Sequence, residues 1–144
     1  MKSLGYFALA AVAAIAVSTS AGAQSLKARQ FQAKEDEYLA RSVADTSKRC
    51  DAQIAAKIDW STIKQDEPGS ASPSGFCGEA LNAIGSLCGE TMAKEAVQKG
   101  VKTLVCTMGG ARAAVLKDGA LTYTMDYDAA NNEDFIKDFL KGHL

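Results

Sequence analysis

The chain has 144 residues, 47% of them hydrophobic and 23% charged, with only 2 Pro and 12 Gly. That composition fits one globular domain and excludes collagen-like, Pro-rich and highly charged disordered chains. Its 16 basic and 17 acidic side chains are interleaved, as in Lys34-Glu35-Asp36-Glu37. No concentrated basic surface for nucleic acid or an anionic membrane is expected from such a pattern.

Lys2 is followed by an uncharged, mostly apolar run from Leu4 to Val17 and then by Ala21-Gly22-Ala23. These are the n-region, h-region and small-residue cleavage box of a secretory leader. The run is 14 residues long, short of the roughly 18 to 20 that a spanning helix needs. We therefore expect a leader over 1–23, cleaved after Ala23, and a soluble domain over 24–144, secreted or periplasmic, with no transmembrane segment. Lys2 is the only charged side chain of the leader, which leaves 15 basic and 17 acidic groups in the rest.

From Ser25 to about Lys57 there is no Pro or Gly, and Phe31, Tyr38, Val43, Cys50, Ile54 and Ile58 recur at helical spacing. A long amphipathic helix is predicted, followed by a short capped turn over Asp59-Trp60-Ser61-Thr62-Ile63. The stretch 64–75, KQDEPGSASPSG, holds both prolines and is predicted as a flexible surface loop within the domain. A second helix is predicted from Ser74 to Lys99, with Cys77, Leu81, Ile84, Cys88, Met92 and Ala96 on one stripe. Gly85 and Gly89 mark either a break in it or a close approach of another backbone.

Beyond Gly100 the period changes to two: Leu104, Cys106 and Met108 share a face, and so do Leu121, Tyr123, Met125 and Tyr127. Asp118-Gly119 is a two-residue hairpin signal, pairing Leu116 with Leu121 and Ala114 with Tyr123. A three-residue loop over Gly109 to Ala111 then pairs Leu104 with Leu116 and Cys106 with Ala114. The expected fold is α+β: two helices, a three-stranded antiparallel meander, and a C-terminal helix with Phe135, Ile136, Phe139 and Leu140 on its stripe.

Four cysteines in an exported chain of this size imply two disulfides, and zinc ligation is disfavoured because no C-x-x-C pair is present. Cys77 and Cys88 lie about 16 Å apart along one helix and cannot join each other. With the first two helices antiparallel across the loop, the expected pairs are Cys50 with Cys77 and Cys88 with Cys106.

The only His, His143, is penultimate, and no nucleophile elbow, phosphate loop or zinc-protease motif occurs. No catalytic residue, cofactor or metal site is assigned. The expectation is a small non-catalytic module that binds a protein or cell-envelope component. Its candidate surface is the sheet face opposite the core, carrying Thr103, Val105, Thr107, Ala113, Val115, Thr122, Thr124 and Asp126, next to a free edge at 102–108 or 121–127. On the competing reading of that face the long first helix covers it, a contact that Val105 and Val115 would suit. The alternative is a small enzyme using carboxylates such as Asp126 and Asp128, with Arg112 or Tyr123.

Overall fold

The computed structural model describes residues 25–64 and 72–144; the leader expected over 1–23 and most of the expected loop lie outside them. Helix α1 runs Leu26–Cys50, and the Ser25 hydroxyl accepts a hydrogen bond from the Ala28 amide at its start. Its buried residues, Glu35, Leu39, Thr46 and Cys50, fall on one stripe. Asp51 takes the left-handed conformation (φ 49°), which Asp tolerates better than most residues and which stops the helix.

The predicted continuation to Lys57 is therefore wrong. Ala55–Ile58 form strand β1. A spacing of four residues, Ile54 to Ile58, falls on one face in a strand as well as in a helix, so the periodicity did not separate the two. The Asp59-capped turn is present as a 3-10 helix over Trp60–Thr62.

Helix α2, Pro73–Leu87, is capped by Ser72, and Pro73 occupies its first turn, where no amide is needed. A turn at Cys88-Gly89-Glu90 separates it from α3, Thr91–Gly100. The single helix expected over Ser74 to Lys99 is thus two, and Met92 is exposed rather than part of an apolar stripe. Gly89 sits in the break. At Gly85 the close approach is by a side chain and not by another backbone, since an added Cβ would lie 2.6 Å from the Arg49 guanidinium.

The remaining elements are β2 (Thr103–Met108), β3 (Ala113–Lys117), β4 (Ala120–Met125) and α4 (Asn132–Lys141). They do not build a meander. The sheet has four strands in the order β1-β2-β4-β3, with β1, β2 and β4 parallel and only β3 antiparallel, paired with β4. The Asp118-Gly119 turn forms with both residues at positive φ, and Leu116–Leu121 and Ala114–Tyr123 pair as expected. The expected Leu104–Leu116 and Cys106–Ala114 pairs do not form, because β4 lies between β2 and β3.

Period-two alternation is the same for parallel and antiparallel neighbours and so says nothing of strand order. Burial does. The helix-side residues of β2 and β4 (Leu104, Cys106, Leu121, Tyr123, Met125) are fully buried, while Ala114 and Leu116 of β3 are only partly so. The better-filled strands take the centre.

The link Gly109–Arg112 must cross the end of β4 to place β3 outside it. A Cβ on Gly109 would run into the Thr124 methyl. Its glycine serves this close approach and not a positive φ, since Gly119 alone among the described glycines has one.

The helices gather on one side of the sheet. α2 packs against both α1 and α4, and a single cluster of buried residues joins them to the strands. Two disulfides form, with different partners from those expected: Cys50–Cys88 and Cys77–Cys106. The missed strand explains the error. Because β1 carries the chain back along the sheet before α2 begins, α1 and α2 run parallel, with Glu35 at Ser74, Thr46 at Leu81 and Cys50 at Ile84. The end of α1 therefore meets the end of α2 and not its start. Cys77, one turn into α2, faces the sheet and reaches Cys106.

Candidate functional site: the uncovered sheet face

Strand alternation sends Ile58, Leu104, Cys106, Leu121, Tyr123 and Met125 toward the helices. The other face carries Ala55 and Lys57 of β1, Thr103, Val105 and Thr107 of β2, Ala120, Thr122 and Thr124 of β4, and Ala113, Val115 and Lys117 of β3. All of these are exposed or partly exposed, and among the described elements no helix lies over them. The strand register arranges them in rows. One row reads Ala55, Thr103, Ala120, Lys117; the next Lys57, Val105, Thr122, Val115; the last Thr107, Thr124, Ala113.

The grid is neutral at its centre, basic at its two outer strands and free of acidic side chains. Its side chains are short or β-branched, which keeps the surface low and stiff. Thr107 donates its hydroxyl proton to the Thr124 hydroxyl across β2 and β4 at 3.2 Å. Four strands at about 4.8 Å and three rows at about 6.8 Å make a plane of roughly 400 Å².

Thr103, Thr107, Thr122 and Thr124 share this plane, as do Val105, Ala113 and Val115. Asp126 does not continue it, because β4 ends at Met125 and Asp126 begins a turn. Its carboxylate accepts the Asp128 amide at 3.0 Å, and its carbonyl accepts the Ala129 amide at 3.1 Å. The free edge expected at 102–108 or 121–127 is also corrected, since both segments are central and the edges are β1 and β3. Sequence reasoning missed Ala55 and Lys57, hidden when β1 was read as helix, and also left out Ala120 and Lys117, which pair beside the hairpin turn.

Of the groups proposed for a catalytic role, Asp126 and Arg112 are held in structural contacts. The Asp126 carboxylate makes the turn just described, and Asp128 is exposed. The Arg112 guanidinium stacks on Phe135, 4.3 Å from the ring centroid, and donates to the Ala130 carbonyl and Asn132 Oδ1. It fastens the start of α4 to the sheet.

The Tyr123 phenol is buried with no hydrogen-bond partner among the described residues. Burial first, and then the negative charge of Glu79, pushes it up to about 12. His143 stacks on Phe139, and its Nδ1 lies 2.7 Å from the Phe139 carbonyl oxygen. Among the described residues no group of three or more His, Cys, Asp or Glu side chains is placed to hold a metal ion, and no helix is long and apolar enough to cross a membrane.

Comparison with protein-family models, with curated proteins and with solved structures finds no match for this chain.

Proposed function

We propose that the chain is an exported, non-catalytic binding module that engages a protein or cell-envelope component through the uncovered face of its sheet. One observation carries this reading: a largely parallel sheet stands with a whole face bare among the described residues. Parallel strands are ordinarily covered on both faces, because their crossover helices pack on both sides. Here α1, α2 and α4 gather on one side, and the other presents an acid-free plane of Thr, Ala and Val. That plane suits a neutral or acidic partner surface laid flat upon it, with Lys57 and Lys117 at its margins.

Site-specific photo-crosslinking in the exporting cell tests the reading. A photoreactive residue at Thr122 is expected to yield a discrete adduct that a probe at Asp138, on the exposed side of α4, does not. Thr122→Glu should weaken that partner's binding while the fold is kept. Equal labelling from both positions would sink the proposal.

A further inference from the structure

The two edges of the sheet differ in what they offer a second chain. We infer that the β3 edge pairs with β3 of a second copy of this protein, antiparallel and centred on Val115. This pairing stands apart from the identity of the partner bound by the sheet face.

Hydrogen-bond direction sets the first constraint. The Gly109 amide donates to the Met125 carbonyl, and the Thr103 amide to the Gly119 carbonyl, so the odd-numbered carbonyls of β4 turn toward β2. Its even-numbered residues turn toward β3, where they pair with Ala113, Val115 and Lys117. The backbone groups of Ala114 and Leu116 therefore point outward, and no described backbone group bonds to them.

An antiparallel copy centred on Val115 sets Ala114 opposite the partner's Leu116, so outward donors and acceptors meet on both strands. Val115 meets the partner's Val115 as the close, non-hydrogen-bonded pair, with Cα atoms about 4.5 Å apart. Val115 is 58% exposed in the single chain, and this pair covers it.

Charge sets the second constraint. In that register Lys117 lies opposite the partner's Ala113, so no like charges face each other. The β1 edge behaves differently. The amides of Ala55 and Asp59 are spent on β2, leaving Ala56 and Ile58 pointing outward. The register that uses both would set Lys57 against Lys57 of a second copy, a repulsive cross-strand pair that protects this edge.

Area sets the third, which alone rests on the proposed use of the sheet face. One bare face offers a partner roughly 400 Å², half of what a standard interface takes from one side, and a continuous eight-stranded sheet offers roughly 800 Å².

Cysteine cross-linking of the purified protein, with whatever N-terminus the cell leaves on it, gives the sharpest test. Val115→Cys is expected to form a covalent dimer under mild oxidation. Ala113→Cys should not, since its own counterpart lies about 14 Å away across the two-fold axis. By sedimentation equilibrium the unmodified protein should be a dimer, and Val115→Lys should weaken association at least about tenfold with the circular dichroism spectrum unchanged. Sedimentation does not depend on the cysteine variants folding. A protein monomeric up to about 1 mM, an unaffected dimer in Val115→Lys, or equal cross-linking at Ala113 and Val115 would each overturn the pairing.

Discussion

The two faces of the sheet come from the same strands and differ in what their alternate residues are. On the helix side, Leu104, Cys106, Leu121, Tyr123 and Met125 are fully buried. On the other side the intervening residues are Thr103, Val105, Thr107, Ala120, Thr122 and Thr124, none longer than a β-branched side chain. A face meant for solvent alone would be polar throughout; this one sets Ala55, Val105, Ala113, Val115 and Ala120 among its threonines, and its only charges, Lys57 and Lys117, lie on edge strands. The contrast separates residues that hold the fold from residues that only decorate it, and every substitution below asks on which side of that line a position lies.

The largest effect is expected at the link between the helices and the covered face. Replacing Cys77 and Cys106 together by Ala opens a crosslink with a sequence separation of 29, which should cost about 3.5 kcal/mol in the chain-entropy account. Thermal unfolding of the double variant against the parent measures it. A loss below about 1 kcal/mol would mean that the packing of α2 on β2 holds without the bridge. Leu121→Ala, in the centre of the same face and fully buried, should cost about 3 kcal/mol, while the neighbouring Thr122→Ala stays within about 0.5 kcal/mol. Equal losses at 121 and 122 would erase the distinction between the faces.

C-terminal helix α4 sharpens the comparison on a smaller scale. The sequence puts Phe135, Ile136, Phe139 and Leu140 on one stripe, but only Ile136 and Leu140 are fully buried. Phe139 is half-buried and stacks on His143. Phe139→Ala should therefore cost about 2 kcal/mol, less than Leu140→Ala at about 3 kcal/mol, in chemical denaturation.

What the sequence made legible was local and what it hid was spatial. Alternation in Leu121 to Met125 located both faces, and Asp118-Gly119 set the β3–β4 register. The insertion of β4 between β2 and β3 left no trace, since hydrophobic period is blind to which strand lies alongside. A single ambiguous stretch, Ile54 to Ile58, had the widest consequences. Read as helix it removed one strand, made α1 and α2 antiparallel instead of parallel, and sent all four cysteines to the wrong partners. The candidate surface was partly legible through its threonines, but the basic margin at Lys57 was lost with the strand that carries it.

Tyr123 is the one residue of the covered face with a polar end, and it carries the smallest and most discriminating prediction. Its hydroxyl is buried without a partner among the described residues, so the fold bears a desolvation cost that a phenyl ring avoids. Tyr123→Phe is expected to stabilise by up to about 1 kcal/mol, where most buried substitutions destabilise. The pH dependence carries a definite sign. With the folded phenol raised from 10.0 to about 12, the unfolded chain loses its proton first. The stability tied to this group is therefore complete below pH 10 and declines as pH climbs from 10 through 12. Ultraviolet titration of the folded protein should show one phenolate appearing late and only on the approach to pH 12, and that component should be missing in Tyr123→Phe. A phenol that instead titrates near 10 would show that solvent reaches it, and with it that the helix side of β4 is less completely closed than the bare side is open.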